Sequence, residues 1–274
     1  MKDLIENRTR LGFLSKLRLV GIMVRDNGLL WPLLMGSYYV ASAIAESCYA
    51  RAASLRVKKN LPGVNSNSAN KHIWENWNWA AGGEEWTLSP EWKGSVVKTF
   101  MDKNFANRSA ILEIGPGAGR WTEYLLKRCD HLIGIDISEA SVHECERRFH
   151  KYHNARFEVG NGDNLSSIAS SSVDAVWSFD VFVHINKQQF KSYLIELARV
   201  LKPGAIGLIQ HGSVGGATGG WRSDVRTSDV KEFLQSNGMV VENQVQRWDD
   251  DGRKFEAGLY QDTITIFRKP SCDG

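Results

Sequence analysis

The sequence predicts an α/β chain: a mostly parallel sheet buried on both faces, closed by an antiparallel C-terminal hairpin and preceded by a helical appendage. Three observations lead there. From Ser89 onward, short apolar runs such as "AILEI", "HLIGI" and "AIGLIQH" alternate with helix-length amphipathic stretches, the rhythm of strands joined by crossover helices. The last two runs, "MVVENQVQRW" and "GLYQDTITIF", are separated only by "DDDGRKFEA", too short for a helical crossover, so they pair antiparallel. Before Ser89 the composition changes: the first 59 residues carry ten Lys/Arg against four Asp/Glu, a local charge of +6 in a chain whose total is +3.

In chain order, residues 27–45, "NGLLWPLLMGSYYVASAIA", are uncharged. Their 19 residues sit at the lower edge for spanning a bilayer, and Pro32, Gly36, the serines and two tyrosines dilute the apolar character. The alternatives are a helix packed on protein, attachment to a membrane surface, and a true span; a secretory signal fits poorly. The polar run "KKNLPGVNSNSANK" over 58–71 reads as a linker, dividing an appendage of residues 1–70 from a domain of residues 71–270. "WENWNWAAGGEEW" follows, with Trp74, Trp77, Trp79 and Trp86 either clamping the domain or covering a ligand. Ser89 and Pro90 cap a helix to Asn104. Strands at 110–114, 131–135, 155–159, 173–178 and 205–211 then alternate with helices at 120–128, 138–150 and 186–200; a helix over 229–237 precedes the hairpin.

Several functions are disfavoured by composition. Removing the appendage leaves the remaining residues at −3, so the basic excess lies outside the main domain and nucleic acid is not its expected partner. The four cysteines form no C-x-x-C pair, which points to neither zinc nor a disulfide framework and favours a reducing, cytoplasmic setting. No acidic cluster suggests a metal; "DDDG" reads as a hairpin turn.

The chemistry is carried by "ILEIGPGAGRWTEYLL", Ile111 to Leu126. A strand running into a glycine turn and a helix aims backbone N–H groups at a ligand. The dinucleotide pattern G-x-G-x-x-G would need glycine at position 120, where Arg120 stands. Glu113, two residues before Gly115, would repel a pyrophosphate and face an ammonium group. An amino-acid nucleoside fits better.

"EIGPGAG" resembles the first motif of class I S-adenosylmethionine (SAM)-dependent methyltransferases, and further segments agree over Ser89 to Arg268. The resemblance implies a Rossmann-like seven-stranded sheet and SAM as cofactor. It places Glu113, Gly115, Pro116 and Gly117 at the donor, Asp136 on its ribose, Ile137 on an adenine face, and Gly162, Asp163 and Asn164 of "NGDNL" by the adenine amino group. Ser178, in the fourth-strand segment "VDAVWSFDVFVHI", joins the cofactor set, and "RVLKPGA" matches the turn before the fifth strand with Ala205 replacing a second glycine. The chain also looks similar to bacterial methyltransferases of glycan and polysaccharide pathways. A hydroxyl acceptor needs a base: His211, ending the fifth strand, is favoured over His184, with Asp180 orienting either histidine or binding the acceptor. Trp221 and Arg222 suit stacking on a sugar or pairing with a phosphate. The expected function is O-methylation of a sugar hydroxyl in a glycan or saccharide-containing acceptor. The alternatives are a small-molecule O-, N- or S-methyltransferase and a SAM-binding scaffold subunit. The appendage would serve contact with the inner membrane face or a homo-oligomer.

Overall fold

The computed structural model describes residues 12–215 and 222–271, which divide into two compact units, one ending at Leu61 and one beginning at Pro62. The first holds α1 (Phe13–Asn27) and α2 (Leu30–Lys58). Gly28 turns the chain between them at φ +74°, a conformation that side chains resist. The uncharged run lies mainly on α2, which buries none of its residues; Leu30, Leu34, Val40 and Ile44 are each at least 60% exposed. Among the described residues, no helix is long and apolar enough to cross a membrane.

The second unit starts ahead of the boundary expected at residue 70, because Asn65, Asn67 and Asn70 hydrogen-bond to its loops. α3 (Asn67–Glu75) is followed by α4 (Pro90–Val96), which continues through a π-turn over Val97–Met101. Ser89 caps α4 as its sequence predicts, its Oγ accepting the Trp92 N–H at 3.1 Å. Then come β1 (Arg108–Ile114), α5 (Thr122–Leu126), β2 (Cys129–Asp136), α6 (Glu139–Phe149), β3 (Ala155–Val159), β4 (Val173–Phe182), α7 (Lys187–Val200) and β5 (Leu201–His211). α8 (Thr227–Ser236), β6 (Val240–Val245), β7 (Arg247–Asp250), β8 (Arg253–Glu256) and β9 (Thr263–Arg268) complete the chain.

The main sheet has the order β3-β2-β1-β4-β5-β9-β6. Its first five strands are parallel, and β9 runs antiparallel between β5 and β6. The expected seven-stranded architecture is therefore present. One detail differs: the run 239–248 does not stay in the sheet. It breaks after Val245, and β7 pairs with β8 in a separate hairpin. Trp248 drives this departure by burying its ring 5.0 Å from Phe100 and donating its indole N–H to Ser95 Oγ at 2.7 Å, contacts made with the helix before β1.

Neighbouring residues of β1 face opposite cores. Ile111 belongs to the core that holds Phe105 and Trp177, whereas Leu112 belongs to the one that holds Phe190, Leu194 and Phe233. Because side chains alternate along a strand and both faces are covered by helices, the strands read as unbroken apolar runs. Parallel pairing brings the C-terminal ends of β1, β2 and β4 to one edge. The segment from Pro62 to Ser89 lies across that edge.

Candidate functional site

A cavity of about 530 Å³ opens at this edge, where open parallel sheets bind ligands. Its floor is the loop after β1. Gly115, Gly117 and Gly119 have φ of +69°, +55° and +87°, a region costly for residues with a Cβ. Space adds a second reason. A Cβ at Gly115 would run into Val181, one at Gly117 would come within 2.9 Å of the Trp79 ring, and one at Gly119 would strike Phe149. Gly115, Pro116 and Gly117 line the cavity; Gly119 does not, and serves to let α6 pack close.

Asp136 ends β2 beside this floor. Its Oδ2 accepts the Gly117 N–H and its Oδ1 the Ser138 N–H, both at 3.0 Å. Each oxygen retains a lone pair, and the carboxylate lines the cavity. Burial pushes its pKa up to about 6, against the pull of these backbone donors, so it is ionised at neutral pH. Ile137 and Gly162 lie on the same wall.

Four expected donor contacts are not on that wall. Glu113 is buried beneath the loop, accepting the Thr122 hydroxyl at 2.7 Å. Burial, reinforced by the nearby Asp136 charge, raises its pKa to about 8, so it does not offer an ammonium a ready counter-charge at neutral pH. Asp163 accepts the Asn164 side-chain amide at 3.0 Å, and the backbone N–H groups of both donate to Asn161 Oδ1 at 3.1 Å. Ser178 is fully buried and donates to the Ile114 carbonyl at 2.8 Å; it ties β4 to β1.

The cavity's cover comes from the tryptophan-rich segment. Trp77 and Trp86 stack at 5.2 Å, and Trp74 lies 5.5 Å from Trp77 and 5.2 Å from the His184 ring. All three, with Trp79, line the cavity, so the cluster both clamps and covers. Side-chain amides hold the segment down: Asn67 donates to the Asn161 carbonyl at 3.1 Å and Asn70 to the His184 carbonyl at 2.9 Å. Glu75 accepts the N–H groups of Glu139 and Ala140 at 2.8 and 3.2 Å, a carboxylate on the positive end of α6.

Of the two histidines expected as candidate bases, one reaches the cavity. His211 is fully buried. Its Nδ1 lies 2.7 Å from the Gly212 carbonyl and its Nε2 2.7 Å from Thr265 Oγ1. A carbonyl only accepts, so the proton sits on Nδ1 and Nε2 accepts from the threonine. Burial pulls its pKa down to about 4. It is a structural group without access to the cavity. His184, in the turn after β4, lines the cavity.

Asp180 also reaches the cavity, but pairs with Arg120 rather than with either histidine. It is a non-glycine residue at φ +61°, held there as its N–H donates to Gln210 Oε1 at 2.7 Å; such strain concentrates at functional sites. Arg222 lies on the wall, ion-paired with Asp262 and 5.0 Å from the Tyr260 ring. Trp221 falls outside the described residues. Among those described, no group of three or more His, Cys, Asp or Glu side chains could hold a metal. Arg120 and Tyr260 went unassigned from sequence. The first had a signal, since it directly follows the third glycine; the second had none.

Residues 111–204 match the family model described as a methyltransferase domain. The chain is 26% identical over 131 residues to the tRNA N(3)-methylcytidine methyltransferase trm140 of Schizosaccharomyces pombe, covering 43% of this chain and 42% of that protein. It is 31% identical over 94 residues to the demethylmenaquinone methyltransferase of Tropheryma whipplei, covering 34% and 38%. It thus spans about two fifths of the curated relatives it matches. Among solved structures, the N-methyltransferase NodS of Bradyrhizobium japonicum in complex with S-adenosylhomocysteine superposes with a TM-score of 0.56 at 15% identity, over 75% of this chain and 97% of that one. The fold is the Rossmann-like fold of class I methyltransferases.

Proposed function

We propose that the protein is a SAM-dependent methyltransferase whose acceptor is a hydroxyl group, of a sugar in a glycan or saccharide-containing molecule. One observation carries the donor assignment: a floor of side-chain-free backbone at Gly115 and Gly117 lies beside the buried Asp136 carboxylate. The methyltransferase-domain match over the same residues supports it. SAM supplies an activated methyl group on a sulfonium. The chain's own residues do the rest. Asp136 accepts the ribose hydroxyls, while Ile137 and Gly162 give the adenine an apolar seat. His184 takes the acceptor proton at the cavity side of β4, and Trp74 and Trp86 offer aromatic faces on which a sugar ring can lie. The aromatic cover excludes water, and in-line placement of the two reactants supplies most of the acceleration.

The exposed apolar residues of α2 and the basic excess of the first 59 residues suit attachment to an anionic lipid surface, which would bring a lipid-linked saccharide within reach. The test of the donor assignment is calorimetry of SAM binding to the full chain and to Asp136→Ala. Loss of two charge-assisted hydrogen bonds lowers affinity by about 100-fold. Wild-type protein that binds no SAM defeats the assignment; labelled SAM offered with sugars, glycolipids and small metabolites then identifies the acceptor.

A further inference from the structure

The cavity wall carries an arginine that the donor reading does not use. Arg222 lines the cavity yet is only 9% exposed. Among the described residues its guanidinium pairs through Nη2 with Asp262 and leaves Nε without a hydrogen-bond partner. A donor buried so deeply and left unpaired is costly unless a ligand supplies the acceptor. Asp262 is the group that holds the arginine, not one that meets a ligand. It lies outside the cavity lining, 3% exposed, with Oδ1 on Arg222 and Oδ2 accepting the Gln210 side-chain amide at 3.2 Å. A Cβ at Gly258 would run into that second oxygen, so the chain closes over it. The Tyr260 ring, 5.0 Å from the guanidinium carbon, holds the face of the fork.

The backbone next to Arg222 is clamped to the turn that carries His184. The Ser223 N–H donates to the Val183 carbonyl at 2.7 Å and Ser223 Oγ to the Ile185 carbonyl at 2.6 Å, so one residue bonds on both sides of the histidine. Asp224 adds a third tie by accepting the Lys187 N–H at 2.8 Å. Guanidinium and imidazole are thereby held at a set offset within one cavity.

Resting on the acceptor reading above, we infer that Arg222 receives an anionic group of the acceptor, a carboxylate or a phosphate on the saccharide, and so sets which hydroxyl reaches His184. A guanidinium only donates, and its fork matches the oxygens of either anion. An uncharged sugar can offer it a hydroxyl, but hydrogen bonds to a charged acceptor are roughly twice as strong. The Arg222–Asp262 pair is neutral as a whole. Recognition therefore comes from donors held at short range rather than from long-range attraction, and depends weakly on salt.

The test is a calorimetric titration of the full chain with glucuronate, glucose 6-phosphate and glucose, beside a separate titration with SAM. At least one of the anionic sugars is expected to bind about tenfold or more tightly than glucose, and which of them binds better tells carboxylate from phosphate. Arg222→Met should remove that preference and leave SAM affinity within about twofold. The double variant Arg222→Met, Asp262→Asn leaves no uncompensated buried charge, so it decides the question if the single variant fails to fold. An anion preference retained in either folded variant overturns the assignment. Wild-type protein that binds none of the three sugars, or binds glucose as tightly as both anions, overturns it without any variant. SAM binding without anion preference removes this assignment alone, whereas anion preference without SAM binding defeats the donor reading and leaves Arg222 an anion receptor.

Discussion

The proposed donor half and the proposed acceptor half of the cavity are assembled differently. The residues proposed to hold the donor lie on strand tips or the turns after them, within the run from Gly115 to Gly162. The acceptor half gathers Trp74, His184, Arg222 and Tyr260 from segments separated by most of the domain. A glycine floor with a carboxylate on the next strand needs only local spacing and parallel pairing, whereas the acceptor walls need the whole sheet, its cover and the β8–β9 connection. One surface can therefore stay constant in kind while the other varies, and this agrees with relatives whose names specify such different acceptors.

The sharpest way to break this comparison is to exchange the histidines. His184→Ala should lower turnover by about 10²- to 10⁴-fold while SAM affinity stays within about twofold. His211→Ala should instead destabilise the fold by about 1–3 kcal/mol, since Thr265 and the Gly212 carbonyl lose their partner, with turnover in the surviving folded protein changed less than about threefold. The reverse ranking in steady-state kinetics and denaturant unfolding would return the base to β5.

A smaller effect separates groups that touch the donor from those beneath it. Glu113 has a folded pKa of about 8, above its unfolded value of 4.5, so the folded state binds the extra proton. The stability this proton confers is fully present below pH 4.5 and is lost as pH rises through 8. His211, lowered from 6.5 to about 4, acts oppositely: its contribution is present above pH 6.5 and lost as pH falls towards 4. Between pH 6.5 and 8 Glu113 dominates, and unfolding free energy should fall on the order of 2 kcal/mol across that window. Glu113→Gln should flatten the profile. An unchanged slope in the variant would assign the titration elsewhere.

The smallest change is expected from removing the first unit. Residues 62–274 should keep SAM affinity within about twofold, because every described cavity residue belongs to that unit, yet lose flotation with anionic vesicles. Retained flotation would assign lipid contact to the second unit.

The comparison also marks what was legible before folding. Gly115, Pro116, Gly117, Asp136, Ile137 and Gly162, all legible in the motifs, line one cavity, because a strand tip and its turn are short enough for spacing to fix direction. Asp163, Asn164 and Ser178 share those segments but do not line the cavity; Asn164 donates to Asp163, and Ser178 to the Ile114 carbonyl. In the sequence, Arg120 is only an interruption of a dinucleotide pattern. Its meaning depends on Asp180, 60 residues later.

By itself, then, the sequence determined the alternation of strands and helices, the antiparallel ending and the glycine floor, all consequences of periodicity and local backbone preference. Tertiary structure alone decided which histidine meets the cavity, which acids are neutralised by burial, and which arginine faces which aspartate. Burial and ion pairing depend on what lies across space, and at the end of a buried strand a single turn separates a side chain in the cavity from one sealed in the core.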